Sequence, residues 1–183
     1  MDIVKNFTQS KILKNLFVVL VGTVLLAVSS KIKIPFYPVP MTMQTFVVLI
    51  IGIGFGWKIG IATIALYLFE GIIGLPVFSG TPEKGIGFVY FTGPTMGYLI
   101  GFLITVFLAG RFNYKDNLIV NFMKLTFATS FIYILGMIWL GGLIGWDKPV
   151  FKLGAQPFLL AELFKILLAT FFINQIKKIK KIF

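Results

Sequence analysis

The sequence predicts an all-α integral membrane protein with six transmembrane helices and both termini cytoplasmic. Three observations carry that expectation. Of its 183 residues, 58% are hydrophobic and only 13% charged, with a mean hydropathy of +0.97, whereas soluble domains sit near about 45–50% apolar and about 25% charged. The apolar residues come in long runs, close to the roughly 20 residues that a bilayer-spanning helix needs. Lys and Arg flank those runs rather than interrupt them.

Leu13–Ser30 supplies the first span. It follows Lys5, Lys11 and Lys14 as a signal peptide would, but no small-residue cleavage site ends it, so it reads as a helix that stays. Met41–Phe69 is too long for one span, and "GIGFGWKIG" (52–60) gives it a bend. The expected pieces are a short second helix over Met41–Phe55 and a third over Lys58–Gly74. "GLPVFSGTPEKG" (74–85) is a Gly/Pro loop before a fourth helix over Val89–Ala109. Asn117–Gly142 makes the fifth and Pro157–Ile176 the sixth, with Pro157 in the first turn, where its missing N–H does no harm. The period-two alternation of a membrane barrel is lacking. Residues 1–183 therefore read as a single transmembrane domain without a soluble module or internal repeat.

Positive charge sets the orientation. Lys5, Lys11, Lys14, Lys58, Arg111, Lys115, Lys124, Lys177, Lys178, Lys180 and Lys181 fall on one side; Lys31, Lys33, Lys84, Lys148 and Lys152 fall on the other. The richer side, with both termini, is expected in the cytoplasm. The net charge of +11 suits anionic lipid headgroups at the cell membrane, with no nucleic acid called for.

Only Glu162 and Lys165 place ionisable groups inside the sixth span, in "LLAELFK" (159–165). Positions three apart share a helix face, and ionisable groups at that depth face a bundle interior or a water-filled cavity. The pair reads either as an internal lock on helix packing or as a ligand site open to the outside. Several Pro/Gly-rich segments converge on the same side: "KIPFYPVPMTMQ" (33–44), "GLPVFSG" (74–80), "TGPTMGY" (92–98) and "KLGAQPF" (152–158). They bring aromatics and a few neutral polar groups, the make-up of a small-molecule pocket. Trp57, Trp139 and Trp146 are expected to anchor the membrane interfaces.

Enzyme chemistry has little to stand on. There is neither Cys nor His, no HExxH, and no GxxxxGK[ST] phosphate loop. No metal or cofactor is expected, and the chain reads as a binding subunit without a motor.

"VPMTMQTFVVLIIGIGFG", "LYLFEGIIGLPVFSG", "GPTMGYLIGF" and "PFLLAELFKILLA", in that order over Val39–Ala169, resemble the BioY family. Its members are the biotin-binding S components of energy-coupling factor (ECF) transporters. The resemblance implies capture of biotin from outside, and a partner module of one transmembrane coupling protein and two ATPases; some members are thought to work without a dedicated module. Glu162 stands where the family usually has Asp. Helix one offers Gly22, Thr23 and Ala27 in place of the Ala-x-x-x-Ala docking pattern. With biotin as ligand, Glu162 is the candidate acceptor for the ureido N–H groups. Lys165 is expected to hold Glu162 ionised, to donate to the ureido oxygen or to reach the ligand carboxylate, with both charges near the ureido end. Tyr98, Ser79 and Gln44 are the further polar candidates, and Phe36, Tyr37 and Phe78 the ring cover. The alternatives are an S component for another small vitamin and a structural membrane protein whose ion pair serves packing alone.

Overall fold

The computed structural model describes residues 2–80, 87–115 and 117–182. The part of the expected outer loop that holds Thr81, Glu83 and Lys84 lies outside the described residues. The elements run α1 (Asp2–Lys31), β1 (Lys33–Ile34), β2 (Met41–Thr42), α2 (Gln44–Phe55), α3 (Trp57–Ile72), α4 (Phe88–Phe91), α5 (Met96–Arg111), α6 (Leu118–Ile144), α7 (Val150–Gly154), a 3₁₀ turn (Gln156–Phe158), α8 (Leu159–Phe171) and α9 (Ile173–Ile182).

The six expected helices are present as α1, α2, α3, α5, α6 and α8, with shifted ends. α2 begins only at Gln44, because Met41–Thr42 pairs antiparallel with Lys33–Ile34, in the register Lys33 with Thr42 and Ile34 with Met41. The stretch expected as extended loop is thus a two-stranded ribbon. The fourth span breaks into α4 and α5 at "TGPT", where Pro94 lacks an N–H and would crowd a preceding helical turn. The sixth ends at Phe171, and the chain turns at Phe172 into α9, whose Lys177 and Lys178 are exposed while Ile173 and Ile176 are buried.

α1, α6 and the segment Val150–Phe171 are long and apolar enough to cross a bilayer. α2 has 12 residues, about 18 Å at 1.5 Å per residue, so it covers little more than half of a roughly 30 Å hydrocarbon core. The ribbon continues that path, and its Thr42 carbonyl finds a donor in Lys165 of α8. Irregular backbone at such a position is tolerated because protein supplies its hydrogen bonds.

Small residues decide how closely the helices approach. A Cβ on Gly101 would lie 2.6 Å from Ile132 Cα, and one on Gly97 would lie 2.4 Å from the Leu135 carbonyl oxygen, so α5 and α6 meet backbone to backbone. At the opposite end Gly56 takes φ +81° and turns α2 directly into α3. Asn117 caps α6 by accepting from the Val120 N–H at 2.9 Å. Buried hydroxyls within the helices fold back on their own carbonyls, Thr63 on Ile59 at 2.9 Å and Thr170 on Ile166 at 2.7 Å. The outward faces are apolar, with Leu16, Phe17 and Leu20 on α1 and Leu160 and Phe164 on α8 exposed. Lipid is the solvent those faces fit.

The core divides into two clusters. One lies toward the ribbon and is built on Tyr67, Phe78, Tyr90, Tyr98, Phe102, Ile132 and Phe158. The other lies toward α9 and is built on Leu49, Ala109, Leu125, Ile166 and Ile173. The aromatic cluster surrounds the candidate site.

Candidate functional site: a buried ion pair beside two joined cavities

Glu162 lies in the first turn of α8, where the helix dipole favours a carboxylate. Lys165 follows one turn on, and both are buried, 3% and 6% exposed. Their ion pair is closed at 3.0 Å, Lys165 Nζ to Glu162 Oε2. Two hydroxyls donate to the same oxygen: Thr45 Oγ1 from the first turn of α2 at 3.0 Å and Tyr133 from mid-α6 at 3.0 Å. Lys165 also donates to the Thr42 carbonyl at 2.9 Å and to Thr45 Oγ1 at 2.8 Å. An ammonium has three N–H donors, so the three acceptors use all of them. Glu162 Oε1 is buried and has no hydrogen-bond partner. One carboxylate oxygen is saturated while the other keeps its full accepting capacity.

Thr45 and Tyr133 form part of the wall of a cavity of about 60 Å³, with Gln44, Phe78, Ser79, Tyr90, Tyr98 and Phe158 among the other lining residues. A second cavity, of about 110 Å³, lies toward the ribbon and is lined by Lys33, Phe36 and Gly93 among others. Pro40, Ser79, Tyr90 and Thr95 belong to both. The two are adjacent, with these residues as the partition between them. Phe78 and Tyr90 stack across it, centroids 4.8 Å apart and planes at 20°, and Ser79 Oγ and the Tyr90 hydroxyl are hydrogen-bonded at 3.1 Å.

The segment that carries Phe78 and Ser79 is held by side chains more than by regular structure. Ser30 donates to the Val77 carbonyl at 2.7 Å, Lys31 to that of Phe78 at 2.6 Å, and Lys33 to that of Ser79. Tyr67 also donates to the Val77 carbonyl, at 3.0 Å, and accepts from Gln44 Nε2 at 2.6 Å.

The structure therefore gathers most of the residues that the sequence singles out. Glu162 and Lys165 pair behind the inner cavity, and Gln44, Tyr98, Ser79 and Phe78 line it. The Tyr98 hydroxyl donates to the Gly154 carbonyl at 2.8 Å, so it faces a ligand as ring and acceptor. Phe36 lines the outer cavity and meets Phe158 edge-on at 5.8 Å. Tyr37 lines neither cavity. It sits beyond the last paired rung of the ribbon, 88% exposed, and nothing packs over it there. Sequence reasoning passed over Thr45, Tyr90 and Tyr133. A tyrosine inside an apolar helix needs a partner for its hydroxyl, and that signal was available in "FIYILG" (131–136).

Fold and site together define a helical membrane protein that holds a charged, water-excluded cluster beside a divided cavity at one end of its bundle. The BioY family model matches residues 4–181, and the chain belongs to the BioY family. Relatives include the "Probable biotin transporter BioY" of Pyrococcus horikoshii, 34% identical over 83% of this chain and 89% of that protein. The "Biotin transporter BioY" of Thermotoga maritima is 33% identical over 86% and 92%. Among solved structures, the chain is similar to the S-component for biotin from an ECF-type ABC transporter. The TM-score is 0.76 and the identity 26%, covering 92% of this chain and 93% of that one.

Proposed function

We propose that this protein captures biotin at the outer face of the cell membrane and serves as the substrate-binding subunit for its uptake. The observation that carries the reading is the unpartnered, buried Glu162 Oε1 beside an aromatic cavity. A buried carboxylate oxygen without a donor is costly unless a ligand supplies one. Biotin's ureido ring offers two N–H donors on an apolar bicycle, a match for one charged acceptor within aromatic walls. Tyr133 and Thr45 donate their hydroxyl hydrogen bonds to Oε2, so they too meet a ligand as acceptors. Lys165 has no N–H to spare, which favours the first of its three expected roles, as the countercharge that holds Glu162 in place. Gln44 and the Ser79–Tyr90 pair supply the donors that a ureido oxygen needs. Phe78, Tyr98 and Phe36 supply ring cover.

The two cavities together fall short of the roughly 300 Å³ that small-molecule sites occupy. Biotin therefore enters by parting the shared wall, of which Ser79 belongs to the strapped 75–80 segment and Pro40 to the ribbon loop. Coupling to energy is assigned to a partner module of one transmembrane coupling protein and two ATPase subunits. The relative described as part of an ECF-type ABC transporter supports this, as does the lack of a phosphate loop in this sequence. Radiolabelled biotin binding to the purified protein tests the reading, with desthiobiotin and unrelated vitamins as competitors. Desthiobiotin keeps the ureido ring and should compete; competition by an unrelated vitamin instead would point to an S component of other specificity.

A further inference from the structure

The two adjacent cavities make a path from Thr45 and Tyr133, the hydroxyls that hold Glu162, to a cation with no part in the ion pair. Lys33 is the only formally charged residue in the lining of either cavity among the described residues, and it lies in the outer one. It is exposed, and its ammonium donates to the Ser79 carbonyl on the partition between the cavities. Its place is set by the ribbon, since Lys33 pairs with Thr42 and the Thr42 carbonyl accepts from Lys165. One rung of backbone pairing therefore links the two ends of the site. At the inner end all three protons of Lys165 are taken, so an anionic ligand tail finds no free cationic donor there.

We infer that Lys33 is the residue that selects for a carboxylate on the ligand's tail, at the opposite end of the path from the Glu162 acceptor. The inference rests on the biotin reading above and deepens it: the ureido head lies at Glu162, the apolar chain passes the Tyr90 partition, and the valerate carboxylate meets Lys33. An ammonium has three N–H donors, and the Ser79 carbonyl takes one. The site faces water, so neither charge is stripped of its hydration, and the gain from pairing is correspondingly modest. The arrangement gives discrimination of the tail without burying a second ion.

Binding of biotin and of biotinamide, which has the same body and a neutral tail, separates the possibilities. The full-length protein in detergent is titrated with each, alongside Lys33→Met, Lys33→Arg and the control Lys148→Met, which removes an exposed charge beside Asp147 and away from both cavities. The unsubstituted protein should prefer biotin by about two- to fivefold, the range of an exposed ion pair. Lys33→Met should lose that preference by weakening biotin alone. Lys33→Arg should keep most of it, and Lys148→Met should keep all of it. A Lys33→Met protein that retains the preference overturns the inference while the biotin reading stands. So does one in which both ligands weaken alike, because Lys33 would then serve only to hold the 75–80 segment. An unsubstituted protein that binds neither ligand removes the biotin reading and this inference with it.

Discussion

Neutralising Glu162 and Lys165 separately and together tests whether the buried pair exists for ligand, for fold or for both. In Lys165→Met, Glu162 keeps the Thr45 and Tyr133 hydroxyls but loses its countercharge and one of three donors. A buried charge stripped of its partner costs about 3–5 kcal/mol, so the single variant should unfold at clearly lower temperature and bind biotin poorly. Glu162→Gln strands the ammonium in the same way, although the Thr42 carbonyl and Thr45 Oγ1 remain as acceptors. Its biotin affinity should fall about ten- to a hundredfold, since a charge-assisted hydrogen bond is worth roughly 1.5–3 kcal/mol. Glu162→Asp should lose less, because it keeps a charged acceptor. With both replaced, no ion remains to be desolvated, and the Gln amide oxygen can still accept from Thr45 and Tyr133. Stability should return while binding does not. Thermal unfolding in detergent, followed by tryptophan fluorescence, reads the first quantity, and calorimetric titration with biotin reads the second. A double variant that binds biotin like the unsubstituted protein would show that the charges serve packing alone. Stability losses that simply add would show that the two residues do not depend on each other.

Tyr133→Phe removes one donor to Glu162 Oε2 and one acceptor from the inner cavity without changing its shape. Biotin affinity should fall about tenfold with little change in unfolding temperature, and unchanged affinity would place the ligand elsewhere. Gly101→Val drives side-chain atoms into the Ile132 backbone, from which even a Cβ would be only 2.6 Å. It should cost about 1–3 kcal/mol as overpacking, measured by thermal unfolding, whereas Gly142→Ala, with open space around its Cβ, should be close to neutral. For topology, the chain has no native Cys. Cysteine placed at Lys148 should react with an impermeant thiol reagent added to intact cells, and cysteine placed at Asn113 should not; the reverse pattern would invert the orientation.

What could be read from the sequence follows from how far each signal reaches along the chain. Apolar runs bounded by Lys, Gly and Pro are local, and they placed all six helices. The pairing of Glu162 with Lys165 is local too, one turn of helix apart. The break before α5 was equally local, since Pro94 is the sixth residue of the expected span Val89–Ala109. The ribbon was harder, because its strands are two residues each and a pairing between 33–34 and 41–42 leaves no periodicity to detect. Tyr133 reaches Glu162 across 29 positions and Thr45 across 117. Nothing in a single sequence marks such partners except their being polar groups in apolar helices.

Those long-range partners also change what the local signal means. From spacing alone, Glu162 and Lys165 are equivalent candidates to touch a ligand, two charges on one face. With Thr42, Thr45 and Tyr133 in place, the symmetry is gone. Every proton of Lys165 is committed, and three donors crowd one oxygen of Glu162 while the other has none. On the proposed reading, a ligand at Glu162 Oε1 displaces no hydrogen bond of the cluster, whereas one at Lys165 displaces one of three acceptors. On that reading Glu162 is the ligand's acceptor and Lys165 the residue that positions it. Exchanging Lys165 for Arg should then harm binding through misplacement of Glu162, because a planar guanidinium cannot reproduce the three contacts that a compact ammonium makes here.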